Sequence, residues 1–237
     1  MSDAPAPPAG LRWVLAIATA VTALATALSY LLPESWAATG VGFTFLAATY
    51  WLVVRRDDTT QIRAFGLSLG GLLEPAPLSA QRLLRESAVA VAHALVAAVI
   101  IFPCFWVGFR LWWQVDTFRP APLGPVAGDA LGQLLVIALP EEAFYRGYLQ
   151  TALDRELKKG FTVLGARLGW GIVITSAIFA VGHLLTELNP ARLAVFFPAL
   201  AFGFLRARTG GIGAAMLFHA LCNLFAAYLL RSYGLLR

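Results

Sequence analysis

Long apolar runs, uninterrupted by charge, constrain this chain more than any other feature. Several continue for about 18 residues or more, which is the length a helix needs to cross a bilayer. Barrel strands alternate apolar and polar residues, so continuous runs indicate helices instead. Hydrophobic residues make up 59% of the 237 positions and charged residues only 13%, against about a quarter charged in soluble domains. The sequence predicts an all-α integral membrane protein, a polytopic bundle of about seven transmembrane helices.

The predicted spans form a single membrane domain, residues 11–237, after a disordered, proline-rich tail at residues 1–10. A break at Pro103 in the third span would raise the count to eight. The spans are Leu11–Leu32, Ala37–Val54, Ser87–Trp113, Val126–Gln150, Leu168–Leu185, Leu193–Leu205 and Ile212–Leu230.

The basic residues are distributed unevenly between the two sides of this bundle. About twelve arginines and lysines fall on the side that carries Arg12, and about four on the other. Because cytoplasmic loops are enriched in Lys and Arg, the N-terminus is predicted to be cytoplasmic. The net charge of +5 is therefore explained by membrane topology, and no nucleic-acid partner is expected. On the same side, residues 61–79 are interpreted as an interfacial helix and loop, or as a plain linker.

Three groups of polar residues interrupt the apolar spans of the C-terminal half. The fourth span contains Glu141, Glu142 and Arg146, and the i,i+4 spacing places Glu142 and Arg146 on one helical face as a pair. Glu141 is rotated about 100° away. The fifth span contains His183. In the seventh, the i,i+4 residues His219 and Asn223 share a face.

Such a set of side chains is able to hold and activate a water molecule. A carboxylate in a low-dielectric environment is a competent general base, and a His/Asn pair is able to donate hydrogen bonds to a developing oxyanion. The same residues suggest zinc as an alternative, with Glu141, His183 and His219 as ligands. However, no HExxH motif is present, so no metal is favoured. Buried polar contacts between helices and a transporter or proton relay are the other interpretations.

The order of these motifs resembles that of one protease family. Glu141-Glu142-x-x-x-Arg146, Phe179-x-x-x-His183 and His219-x-x-x-Asn223 resemble the three motifs of the CPBP family, which comprises the CAAX prenyl endopeptidases and the bacterial Abi membrane proteases. The resemblance covers roughly residues 126–230, the predicted catalytic part. It implies that Glu141 is the catalytic base on a water shared with His183. It also implies that His219 and Asn223 form the oxyanion site, supported by Glu142 and Arg146.

The resemblance implies an intramembrane endopeptidase that acts on a membrane-anchored or lipidated protein or peptide. The composition, rich in Ala, Arg and Pro, suggests a bacterial inner-membrane protein. Farnesylated CAAX proteins are then an improbable substrate, and removal of C-terminal sorting tails is favoured over maturation of bacteriocin-like peptides. An inactive scaffold of the same fold is the remaining alternative. The oligomeric state is left open.

Overall fold

The computed structural model describes residues 10–235, so all but Gly10 of the predicted N-terminal tail lies outside the described residues. The protein is almost entirely helical. In chain order the α-helices are α1 Leu11–Leu31, α2 Glu34–Leu52, α3 Thr59–Ala64, α4 Ala80–Trp113, α5 Leu123–Gly128, α6 Leu139–Glu142, α7 Thr151–Leu157, α8 Gly171–Thr186, α9 Phe196–Thr209 and α10 Gly213–Ser232.

Five helical segments in the described part of the chain are long and apolar enough to cross a membrane. They are Leu11–Leu31, Glu34–Arg56, Ala80–Trp113, Pro190–Thr209 and Gly213–Ser232. α4 presents much of its surface to lipid, with Val99 75% exposed, and it runs unbroken through Pro103. The break proposed to create an eighth span is therefore wrong. The count of seven stays a prediction, because α8 has only 16 residues and the fourth span is not a regular α-helix.

The predicted fourth span is a continuous helix over residues 132–157 whose turns widen twice. Two π-helical stretches, Gly132–Ala138 and Ala143–Gln150, flank α6, and α7 follows. Wide turns of this kind occur mostly at functional sites. α6 contains both glutamates, and the second wide stretch contains Arg146.

The predicted all-α fold is confirmed except for a short β-hairpin. Strands β1 Gly160–Val163 and β2 Ala166–Gly169 pair antiparallel. Leu164 and Gly165 between them both have positive φ, the conformation of a tight two-residue hairpin turn. The fifth span therefore begins at Gly171 rather than Leu168, and the backbone N–H of Gly171 donates to Asp154 Oδ1 at 2.8 Å. Sequence analysis missed the hairpin because its strands are only four residues long.

The segment predicted to lie at the interface packs onto the bundle instead. Ile62, Phe65 and Leu67 are buried in the main core. The carbonyl oxygen of Gly66 accepts a hydrogen bond from the backbone N–H of Ile212, immediately before α10, at 3.0 Å. Residues 59–74 therefore cover one end of the 132–157 helix.

A charged cluster anchors this covering segment. Arg63 and Arg82 both donate hydrogen bonds to Glu74, at distances of 2.6–2.9 Å. The Ser68 hydroxyl donates to Glu74 Oε1 at 2.5 Å. These donors hold the pKa of Glu74 well below its ordinary value, with the hydrogen bonds from Arg63 and Arg82 as the main cause.

Close backbone approach brings α2 against the 132–157 helix. A Cβ atom on Gly42 would lie 2.5 Å from the carbonyl oxygen of Val136 and 3.3 Å from Pro140 Cγ. Three residues further along α2, Phe45 stacks on Phe144 with ring centroids 5.4 Å apart. Small residues commonly permit such contacts between membrane helices.

We predict that Gly42→Ala lowers the free energy of unfolding by about 1–3 kcal/mol, because the added methyl group forces α2 away from Val136. Thermal unfolding in detergent is the measurement. Gly108→Ala on lipid-facing α4 is the matched control, since a Cβ there meets nothing within 4 Å. Equal melting temperatures for the two variants would contradict this packing.

The Glu74 cluster also predicts a pH dependence. Because the folded-state pKa of Glu74 is lowered, its stabilising contribution is complete above the ordinary value of 4.5 and is lost as the pH falls below it. Glu74→Gln, which removes the charge, is expected to reduce stability at pH 7 and to flatten the acid limb of the melting-temperature profile. Parallel profiles for Glu74→Gln and wild type between about pH 5 and pH 2, the range in which a lowered carboxylate pKa acts, would show that the cluster contributes nothing.

Candidate active site

A cavity of about 520 Å³ lies among the helices and collects the polar residues of the three motifs. Its walls include all four predicted catalytic side chains, Glu141, His183, His219 and Asn223. Glu142 and Arg146, the two supporting residues, lie behind the wall and are fully buried. The structure thus brings all six predicted site residues into one region and separates the two glutamates.

Glu142 is the centre of a buried ion pair. The Arg146 Nη1 atom donates to Glu142 Oε1 at 2.9 Å, the pairing that the i,i+4 spacing predicts. The Nη2 atom of the same guanidinium donates to the carbonyl oxygen of Ala199 at 3.2 Å. His219 Nδ1 lies 2.9 Å from Glu142 Oε1. One carboxylate therefore fixes both an arginine on its own helix and a histidine on α10.

Two aromatic rings complete the surroundings of the arginine. The guanidinium carbon lies 4.4 Å from the ring centroid of Phe179 and 5.1 Å from that of Phe202. Phe202 in turn stacks on the His219 ring, with 4.7 Å between centroids and 12° between planes. Cation–π contacts of this type strengthen where water is excluded. Arg146 and His219 consequently have little freedom to reorient.

Glu141 has a different environment from its neighbour. It is 9% exposed and faces the cavity. His219 Nε2 lies 3.8 Å from Glu141 Oε2, beyond hydrogen-bond distance. Among residues 10–235, no group donates a hydrogen bond to Glu141 Oε2. Glu141 therefore lines the cavity and carries one buried oxygen without a donor.

The hydrogen bond of His183 shows which of its two ring nitrogens carries the proton. Nδ1 lies 3.0 Å from the carbonyl oxygen of Phe179, and a carbonyl oxygen only accepts, so Nδ1 carries the proton. In the neutral ring, Nε2 is then an acceptor. The ring packs on Phe179 at 4.3 Å between centroids. His183 is therefore able to accept a hydrogen bond through Nε2.

Asn223 has a partner that sequence reasoning missed. Its amide Nδ2 donates to Gln133 Oε1 at 2.9 Å, and both residues line the cavity. An amide nitrogen carries two hydrogens, so one N–H of Asn223 is not used by Gln133. The signal in the sequence was a glutamine inside the apolar run "LGQLLVIA", the same kind of interruption that identified the other residues.

The side chains do not form a metal site in this arrangement. Across the described residues 10–235, no three His, Cys, Asp or Glu side chains are grouped closely enough to hold a metal ion. His219 directs Nδ1 to Glu142, and His183 directs Nδ1 to its own helix. The metal-free mechanism and the zinc alternative on Glu141, His183 and His219 both stay predictions.

Comparison with known proteins agrees with this geometry. Residues 124–225 match the family model described as type II CAAX prenyl endopeptidase Rce1-like. This segment is similar to an Rce1-like protease domain. The match contains all six site residues, and together with the apolar helices it supports an integral membrane protein related to the CAAX proteases. Searches of the curated proteins and of the solved structures gave no match.

The buried ion pair of Glu142 and Arg146 predicts an asymmetric mutational response. Arg146→Met leaves Glu142 charged and buried without its main partner, and is expected to cost about 3–5 kcal/mol of stability. Glu142→Gln combined with Arg146→Met removes both charges and should recover much of that loss. Thermal unfolding of the two single variants and the double variant gives the coupling. Additive losses would contradict a direct pair.

Proposed function

We propose that this protein is an intramembrane endopeptidase that activates water with Glu141 and His183 and uses no metal. The observation that supports this most directly is the division of labour between the two glutamates. Glu142 lies behind the cavity wall and its Oε1 atom is occupied by Arg146 and His219, whereas Glu141 lines the cavity and is not paired with the arginine. An Oε2 atom without a hydrogen-bond partner among residues 10–235 occurs in both glutamates, so the difference lies in the arginine pairing and in the contact with the cavity.

In the proposed first step, a water molecule donates one hydrogen bond to Glu141 and one to His183 Nε2. Glu141 accepts the proton as the water oxygen attacks the carbonyl carbon of the scissile peptide bond. General-base assistance of this type contributes about 10²–10⁴-fold to a rate. The Phe179 carbonyl supports the reaction indirectly, because its hydrogen bond to Nδ1 keeps the His183 Nε2 lone pair available.

The attack converts the peptide carbonyl into an oxyanion, and we assign its stabilisation to Asn223 and His219. The second Asn223 N–H supplies one donor, held in place by Gln133. His219 carries a proton on Nδ1, because that atom faces an acceptor-only carboxylate. Its Nε2 atom is therefore a donor only when the ring is an imidazolium. With Glu141 and Glu142 ionised and Arg146 charged, an imidazolium makes the four-group cluster neutral.

Collapse of the tetrahedral intermediate breaks the carbon–nitrogen bond. The proton taken by Glu141 passes to the departing amine, and the two products are a new carboxylate and a new amine. Water is the only co-reactant, so the reaction balances as hydrolysis.

For the substrate, we propose a membrane-anchored or lipidated bacterial protein that is cut near its C-terminus or its anchor. The family description names prenyl endopeptidases, and the apolar walls of the cavity suit a substrate segment that is itself apolar. Removal of a C-terminal sorting tail is our preferred form of this reaction. We propose the bacterial inner membrane as its location, on the basis of the composition rich in Ala, Arg and Pro.

The test compares cells that express the wild-type protein with cells that express Glu141→Gln or His183→Ala. We expect the C-terminal segments of the substrates to be retained in both variants, with cleavage reduced about 10²-fold or more. Quantitative proteomics of the C-terminal peptides of membrane proteins provides the readout. The most strongly retained peptide then serves as the substrate for purified protein, with and without a chelator of divalent metals.

Two matched controls lie outside the site. His93→Ala removes a histidine on α4 whose Nδ1 faces Val89 of its own helix. Glu34→Gln neutralises an exposed glutamate in the first turn of α2. Both should cleave normally. Full cleavage by Glu141→Gln and His183→Ala would refute the mechanism, and loss of cleavage on chelation would refute its metal-free form.

A further inference from the structure

The two ends of the bundle differ sharply in charge. One end, here named the basic end, gathers the start of α1, the end of α2, residues 54–85, the hairpin and the turn between α9 and α10. Hydrogen bonds connect these parts: Arg206 Nη2 donates to the carbonyl oxygen of Ala64 at 3.0 Å, and the Gly10 N–H donates to Glu156 at 3.3 Å. Most of the arginines and both lysines lie here.

The other end, here named the open end, gathers the turn between α1 and α2 and the ends of α4, α8 and α10. Tyr30 on α1 donates to the carbonyl oxygen of Leu185 on α8 at 2.8 Å. The Arg119 N–H donates to the carbonyl oxygen of Ser232 at 2.9 Å. Few basic residues belong to this end. Because cytoplasmic loops are enriched in Lys and Arg, the open end faces the outside of the cell.

The cavity lies in the half of the bundle nearer the open end. α1 contributes its second half to the walls, from Thr22 to Ser29, and α2 contributes its first half, from Ala37 to Phe45. α8 and α10 contribute their C-terminal parts, which reach as far as Thr186 and Leu230. Each helix therefore lines the cavity along the portion that runs to its open end.

The basic side of the site is closed by the covering segment, residues 59–74. Leu67 packs directly on Gly147, where a Cβ would lie 2.6 Å from the Leu67 side chain. Phe65 stacks on Tyr148 with centroids 6.1 Å apart. Both contacts come immediately after Arg146 in the chain, so this segment separates the site from the basic end.

We propose that the substrate reaches Glu141 from the open end, and that its cleaved segment lies in the outer half of the bilayer or at its outer surface. This inference rests on the proposed function and narrows it. The substrate class is an exported, membrane-anchored protein, cut after translocation. A cytoplasmic lipidated C-terminus does not approach this side of the site.

Cysteine labelling in intact cells tests the side of access without requiring cleavage. The background is the full-length protein with Cys104→Ser and Cys222→Ala. Single cysteines are then introduced as Ser29→Cys in the cavity wall, Ser35→Cys at the exposed start of α2, and Lys159→Cys at the exposed basic end. A membrane-impermeant maleimide should label the first two in intact cells, and Lys159→Cys only after permeabilisation.

Two other labelling patterns would overturn the proposal. Labelling of Lys159→Cys alone in intact cells would reverse the orientation and overturn the proposal. Labelling of Ser35→Cys without Ser29→Cys would show that the cavity is not reached from the open end, which also overturns it. Immunoblotting confirms that each variant accumulates in the membrane, and Ala37→Cys replaces Ser29→Cys if that variant does not. Labelling does not depend on cleavage. The labelling result therefore stays interpretable even if the protein proves not to be a protease.

Discussion

The site depends on one buried carboxylate, Glu142, and on what pairs with it. A charged glutamate in the interior of a membrane bundle is costly unless compensated. Arg146 supplies the opposite charge, and the guanidinium is itself held by Ala199 and by two aromatic rings. His219 joins the same oxygen from another helix. This network couples the 132–157 helix, α9 and α10 beside the cavity.

Because Arg146 pairs with Glu142, the neighbouring carboxylate of Glu141 is left available as a general base in the proposed reaction. Glu141 adjoins the network in sequence but is not engaged by Arg146, so it retains an acceptor oxygen in the cavity. The proposed reaction requires this difference between the two glutamates. If both shared one arginine, both would be poor general bases. The widened turns on either side of α6 accompany this separation.

Much of the site could be predicted from the sequence, because polar side chains inside apolar runs are conspicuous. Glu141, His183, His219 and Asn223 were each identified in this way, and the spacing of Glu142 and Arg146 predicted their pairing. Gln133 was overlooked although it interrupts an apolar run in the same manner. The assigned catalytic roles remain predictions, since contacts alone do not establish reactivity.

Two kinds of feature could not be predicted from the sequence: very short strands, and segments that pack against residues distant in the chain. The hairpin escaped notice because four-residue strands carry little periodic signal, and the boundary of α8 moved with it. The packing of residues 59–74 depends on distant partners such as Ile212 and Arg206, which no local pattern reveals. A break at Pro103 was the alternative that would have given eight spans, yet α4 continues through it, as membrane helices often permit.

The walls of the cavity come from two different parts of the chain. The segment that matches the Rce1-like model, residues 124–225, supplies the chemical groups, whereas α1 and α2 lie outside that match and supply much of the opposite wall, including Thr22, Ala25, Val41 and Phe45. In the proposed function, the catalytic groups and the wall opposite them therefore come from different parts of the chain. Related proteins could diverge in the peptides they accept by changing small and aromatic residues on the first two helices, while the water-activating groups stay unaltered.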